Sequence, residues 1–173
     1  IAMIEAGDWS GELFFATASG LVKRTLRVEL NVRKAKFAAI GLKNGDRLLS
    51  VARTDGFESA LLISVSGMAI HFALDEVSLI GRTAAGVKGM TLAPDDRVAF
   101  AFLHNSEGEI VLATDLGYLK RCLLIDFDRQ ARGGKGVKCF TRVKTGSNGK
   151  KIAGALMVTD PYDFRMMQKS GAF

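Results

Sequence analysis

Val98-Ala99-Phe100-Ala101-Phe102-Leu103-His104-Asn105-Ser106-Glu107-Gly108-Glu109-Ile110-Val111-Leu112-Ala113-Thr114-Asp115-Leu116-Gly117 is a block of twenty residues whose outline occurs four times. The other copies are Ile1–Gly20, Leu48–Gly67 and Ile152–Gly171. Each opens with a short apolar run, such as Leu48-Leu49-Ser50-Val51, and passes through small or polar residues, such as Gly7-Asp8-Trp9-Ser10-Gly11. Each returns with a second apolar run, such as Ala60-Leu61-Leu62-Ile63 or Phe164-Arg165-Met166-Met167, and closes on a glycine. Two short apolar runs around a polar turn predict a β-hairpin within each block. The closing glycine sits where the next turn needs a positive φ, which costs glycine nothing sterically.

A third apolar run follows three of these glycines: Leu21-Val22, Met68-Ala69-Ile70 and Tyr118-Leu119. A fourth comes later in each linker: Ala38-Ala39-Ile40, Val87-Lys88-Gly89-Met90 and Val137-Lys138-Cys139-Phe140. The block-closing glycines lie 47, 50 and 54 residues apart. Four strands per period of that length predict an all-β, propeller-like array of four-stranded blades, about three to four of them in this chain. One blade cannot bury both of its faces, so neighbours must stack to complete a core. The expected organisation is part of a single domain over 1–173, with repeats at about 14–62, 63–112 and 113–167 and partial blades at both ends. No apolar pattern of helical period is bounded by caps, so little helix is expected.

Nearly half the residues are apolar and a quarter charged, which supports a core and excludes a disordered tail. No apolar run reaches the length of a membrane span. The chain opens on Ile1, without a signal-peptide pattern, and is expected to be a piece of a longer protein. Cys122 and Cys139 are too far apart for a CxxC motif. They are read as two thiols of a cytoplasmic protein, with one disulfide as the alternative. His71 and His104, taken to lie in different repeats, cannot build a metal site without further ligands.

The net charge of +6 favours an anionic partner. It is unevenly spread. Residues 14–62 hold nine Lys/Arg against four Asp/Glu, 63–112 three against six, and 113–167 eleven against five. Lys23-Arg24 and Lys120-Arg121 stand at the same offset after Gly20 and Gly117, where the middle repeat has Ile70-His71. Neighbours on a strand point to opposite faces, so one member of each pair can face a given partner. The loop Arg129-Gln130-Ala131-Arg132-Gly133-Gly134-Lys135-Gly136 combines cations with glycines that let backbone amides approach an anion. Gly81-Arg82-Thr83-Ala84-Ala85-Gly86-Val87-Lys88 and, less clearly, Arg33-Lys34-Ala35-Lys36 correspond to it. With no helix to read a groove, the anion expected is the phosphate backbone, bound with little sequence preference and strong salt dependence. Lys135 is followed by Gly136 and not by Ser or Thr, which excludes a nucleotide P-loop. Gly146-Ser147-Asn148-Gly149-Lys150-Lys151 reads as a hairpin turn. Asp95-Asp96 after Pro94 read as turn residues, and no catalytic constellation is evident.

The Gly-x-x-Lys-Arg strand, the blade loops Gln130–Gly136 and Gly81–Gly89, and the period together resemble the C-terminal domain of the DNA gyrase A subunit. The related topoisomerase IV A subunit is similar to it. The resemblance covers nearly the whole chain, most clearly Leu13 to Met167. The gyrase hallmark heptapeptide carries arginine at its second position, where this chain has Ala131, so gyrase and topoisomerase IV both stay open. The resemblance implies a β-pinwheel of about six blades with strands exchanged between neighbours, and double-stranded DNA wrapped around a basic outer edge. It implies a parent A subunit that joins the B subunit in an A2B2 holoenzyme with ATP and Mg bound elsewhere, and no cofactor, metal or catalytic residue in this piece. The expected DNA-binding residues are Lys23, Arg24, Lys120, Arg121, Arg129, Arg132, Gly133, Gly134, Lys135, Gly136 and Lys138, with Arg82 and Lys88 secondary. A protein-docking propeller with no nucleic-acid role is the competing expectation.

Overall fold

The computed structural model describes residues 7–43, 45–105, 107–160, 162–163 and 167. In chain order its strands are β1 (Glu12–Thr17), β2 (Leu21–Leu26), β3 (Leu48–Arg53), β4 (Ser59–Ser64), β5 (Met68–Ala73), β6 (Val87–Lys88), β7 (Val98–His104), β8 (Glu109–Thr114), β9 (Leu119–Leu123), β10 (Val137–Lys138) and β11 (Ile152–Val158). They form three antiparallel sheets, ordered β3-β1-β2-β6, β7-β4-β5-β10 and β11-β8-β9. Short 3-10 turns follow β2, β5 and β9 directly, and among the described residues they are the only helical structure.

The hairpins are β1–β2, β4–β5 and β8–β9, each closed across one of the repeat glycines. Gly20, Gly67 and Gly117 have φ of 83°, 85° and 82°, as their placement in the repeat predicts. A hydroxyl reinforces each turn. Thr17, Ser64 and Thr114 accept the amide of the residue after the glycine at 3.2, 3.2 and 3.1 Å.

The hairpins expected inside the twenty-residue blocks do not form. β3 pairs with β1 and not with β4, although only a short polar turn separates them. β7 likewise pairs with β4 and not with β8. The cause is the demand of β4 and β8 for two partners each: the following hairpin strand takes one edge and a later strand the other. Ile1–Ile4 and Phe164–Met166, the outer runs of the first and last blocks, lie outside the described residues. Ala38–Ile40 is not a strand either. Its counterparts β6 and β10 pair with β2 and β5, each in the hairpin one repeat back, and among the described residues no hairpin precedes β1 to offer Ala38–Ile40 such an edge.

Strand exchange thus links the sheets, since β6 and β10 each close the sheet before their own. Their backbones are tied twice to the preceding turn: Gly89 and Met90 donate to the Gly20 carbonyl, and Cys139 and Phe140 to that of Gly67. At the opposite side β3 packs on β7 and β7 on β11, so β3, β7 and β11 form the inner edges and β6 and β10 outer ones. Alternation divides the core. Ala60 and Leu62 of β4 face Phe14, Ala16 and Val22 of the first sheet, while Leu61 and Ile63 face Ile110, Leu112 and Ile152 of the third. That is why β4 reads as an unbroken apolar run. Cys122 and Cys139 are free thiols in the second of these cores. Burial pushes the Cys139 thiol up to about 12, which keeps it protonated.

Gly86 and Gly136, just before β6 and β10, have φ of 110° and 73°. A Cβ on Gly86 would lie 2.7 Å from the Val22 carbonyl oxygen, and one on Gly136 would overlap that of Ala69. Gly45, at φ 78°, has open space around it. Gly136→Ala and Gly86→Ala are therefore expected to cost more than ~2 kcal/mol in urea unfolding, against ~1 kcal/mol for Gly45→Ala. Equal losses at all three positions would refute the close-approach argument.

Candidate nucleic-acid interface

The paired cations after the hairpin glycines separate as strand alternation requires. Lys23 is wholly buried. Its ammonium donates to the carbonyls of Ala39, Gly81 and Arg82 at 3.0, 3.3 and 2.6 Å and lies 4.8 Å from the centre of the Phe15 ring. Burial pulls its pKa down to about 8. A side chain so placed cannot reach a phosphate, and Lys23 leaves the candidate set. Lys120 is exposed on β9, although its ammonium also donates to a carbonyl, that of Cys139, at 2.7 Å. Arg24 and Arg121 point the other way and pair with glutamates of their own hairpins. Arg24 meets Glu12 at 2.9 Å and the Val77 carbonyl at 2.8 Å. Arg121 grips both oxygens of Glu109 at 2.8 and 2.5 Å, which holds that carboxyl below its usual range.

The glycine-rich loops are built alike. The Arg82 amide donates to Glu29 at 2.7 Å, and its guanidinium to the Ala38 carbonyl above the Phe37 ring. The Arg132 amide donates to Glu76 at 3.0 Å, and its guanidinium to the carbonyls of Glu76 and Lys88 at 2.8 and 2.9 Å. Each arginine therefore fastens its loop to the corresponding segment of the preceding repeat, with part of the side chain still exposed. The glycines take part in main-chain packing. The Gly133 amide donates to the Gly89 carbonyl at 2.7 Å, and the Gly133 and Gly134 carbonyls accept from the Thr91 hydroxyl and amide at 2.6 and 2.8 Å. Arg129 donates to the Ser59 hydroxyl at 2.9 Å.

Lys88, Lys135 and Lys138 stand apart from these. All three are exposed and make no ion pair among the described residues. Lys88 and Lys138 lie on the outer-edge strands, with Arg132 beside Lys88. Arg33, Lys34 and Lys36 are exposed on the first loop. Lys150 and Lys151, read in the sequence as part of a hairpin turn, and Arg142 and Lys144, not singled out there, are also exposed; their loop joins β10 to β11 of another sheet and closes no hairpin, and the density of cations in it was the signal available.

The two histidines belong to one sheet, contrary to the expectation that separate repeats keep them apart. His71 of β5 and His104 of β7 flank β4, with ring centres 4.8 Å apart. His71 Nδ1 contacts the Phe127 carbonyl at 2.7 Å. Among the described residues no group of three or more His, Cys, Asp or Glu could hold a metal, and no helix is long and apolar enough to cross a membrane.

A family model described as the DNA gyrase C-terminal domain, beta-propeller, matches residues 11–55, 58–105 and 108–158. The chain belongs to the DNA gyrase C-terminal domain family. Each matched stretch opens at a hairpin, as the strand pairing does. The DNA gyrase A subunit of Klebsiella oxytoca is 35% identical over 92% of this chain, and that of Pseudomonas aeruginosa is 35% identical over the same share. The chain spans 18% and 17% of those relatives. A crystal structure of the C-terminal domain of DNA topoisomerase IV superposes with a TM-score of 0.84 at 32% identity, over 91% of this chain and 50% of that one. The domain is a β-propeller of the pinwheel kind, with strands exchanged between blades.

Within this fold His104 is sensitive to acid. Burial, then the nearby His71 and Arg129, lower its pKa from 6.5 to about 4. The folded state holds it neutral while the unfolded chain protonates first, so its contribution is complete above pH 6.5 and is lost between 6.5 and about 4. Urea unfolding should show the wild type losing up to ~3 kcal/mol more than His104→Asn across that window. Parallel pH profiles for the two proteins would count against it.

Proposed function

We propose that this domain binds, bends and wraps double-stranded DNA as part of a bacterial type II topoisomerase A subunit, with gyrase preferred. The observation that carries the reading is the set of uncommitted lysines, Lys88, Lys135 and Lys138, on the outer edge strands and the loop between them. Arg82 and Arg132, whose guanidinium groups donate to carbonyls, add positive potential beside them, and Arg24 and Arg121 on the hairpin faces are already paired with glutamates. Strands and loops that present ammonium groups, with no element to enter a groove, suit the phosphate backbone. Bending a duplex around such an edge costs several kcal/mol, which contacts repeated from blade to blade offset. Gly133, Gly134 and Gly136 act in this reading by holding the loop's shape. Topoisomerase IV is the second reading, favoured by the similarity to its C-terminal domain.

On the same reading the domain serves a larger cytoplasmic enzyme. The rest of the A subunit would cleave DNA and the B subunit hydrolyse ATP with Mg, in an A2B2 holoenzyme. This domain would contribute DNA geometry and no chemistry.

Fluorescence anisotropy of a duplex of about 40 base pairs, titrated with the chain at several salt concentrations, tests the reading. Affinity should fall steeply with salt and alike for unrelated sequences. Lys88→Ala, Lys135→Ala and Lys138→Ala together should flatten the log K against log salt slope by about 2 to 3. An unchanged slope would remove these lysines from the interface, and no binding at low salt would favour a protein-docking role.

A further inference from the structure

A loop in each repeat leads to an inner strand and is clamped to a hairpin turn. In the first two repeats the clamp is an aspartate of the loop. Asp46 accepts the amide and hydroxyl of Ser19 at 2.9 and 2.5 Å, and the Arg47 amide at 2.8 Å. Asp96 accepts the amide and hydroxyl of Ser66 and the Arg97 amide. In the third repeat the charges are exchanged. Lys150 and Lys151 stand where Asp46-Arg47 and Asp96-Arg97 stand, and the acid has moved to the hairpin as Asp115. Asp115 accepts the amides of Lys150 and Lys151 at 2.8 and 3.2 Å, which holds its carboxyl below the usual range. The backbone closure is retained: the hairpin amides of Ala18, Val65 and Asp115 donate to the carbonyls of Arg47, Arg97 and Lys151 at 2.9, 2.8 and 3.1 Å.

The exchange leaves loop 141–151 with four cations, Arg142, Lys144, Lys150 and Lys151, and no acid. Loop 91–97 carries two acids and one cation, and loop 41–47 two cations and one acid. All four cations are exposed. The loop that carries them is braced from within. Asn148 accepts the Val143 amide and donates to the Thr141 carbonyl, both at 2.9 Å, and Arg142 donates to the Lys150 carbonyl at 3.0 Å. A braced loop loses little conformational freedom when an anion binds it. Four cations in eleven residues, with Arg142 drawn against the Lys150 backbone, concentrate positive charge in one loop. The loop begins three residues after Lys138 on the outer edge of the second sheet and ends on the inner strand of the third.

We propose that loop 141–151 is a second phosphate-binding surface, which carries the duplex backbone from Lys138 across the hairpin-turn end of the third sheet. The inference rests on the DNA-binding reading above and extends its track from the rim onto one end of the propeller. Binding there is blade-specific, because the other two repeats keep the acid in the loop.

The test is Lys144→Ala with Lys151→Ala in the 173-residue chain, which spares the backbone amides that Asp115 holds. Duplex anisotropy across a salt series should show the log K against log salt slope flattened by about 2, with Lys144→Arg and Lys151→Arg restoring it. Thermal unfolding should be unchanged. A double alanine variant that binds duplex like the wild type, while the Lys88, Lys135 and Lys138 variant is impaired, would overturn the loop assignment and leave the DNA reading standing. Loss of binding to a poly-glutamate peptide with duplex binding unchanged would overturn it in favour of an acidic protein segment. Failure of the wild type to bind duplex at all would overturn both.

Discussion

Two carbonyl oxygens, those of Gly20 and Gly67, each accept two amides from a segment that has crossed over from the next repeat. The rest of the architecture depends on this crossing. It places a two-residue strand on the outer edge of a sheet that would otherwise end in open amides and carbonyls, and it makes each sheet incomplete without its neighbour. The close approach is available because Gly86 and Gly136 lack side chains where the crossing chain meets the carbonyls of Val22 and Ala69. The middle sheet then buries both faces, and one core on each side of it fixes the spacing of the three sheets.

The crossing also determines how the cations are used. A crossing backbone leaves carbonyl groups that no strand satisfies, and buried carbonyls need donors. Lys23 supplies three hydrogen bonds to such groups, Arg82 and Arg132 fasten successive loops, and His71 meets the Phe127 carbonyl. Much of the positive charge is therefore structural. The charge left over for a partner sits on the short outer strands and the loop between them, on Arg33, Lys34 and Lys36, and on loop 141–151, where these exposed cations form no ion pair among the described residues.

Blades that share one backbone plan differ in which side of a contact carries the charge. Asp46 and Asp96 lie in the loop, and Asp115 lies in the hairpin, yet all three accept main-chain amides across the same junction. Conserving the hydrogen bond while moving the acid changes the surface and not the fold. That freedom allows a repeat protein to vary its potential from blade to blade without destabilising the stack.

By itself the sequence determined the all-β class, the period, the positive-φ hairpin glycines and the alternation that sends Lys23 and Arg24 to opposite faces. These are local properties, fixed by backbone sterics and by the two-residue repeat of a strand. The tertiary structure alone decided that β3 joins β1 and not β4, that β6 and β10 cross to the preceding sheet, and that His71 and His104 meet. It decided too that Lys23 is interior while Lys88, Lys135 and Lys138 are exposed. Strand pairing is chosen by edges far apart in the chain, and alternation assigns a residue to a face without saying what will cover that face.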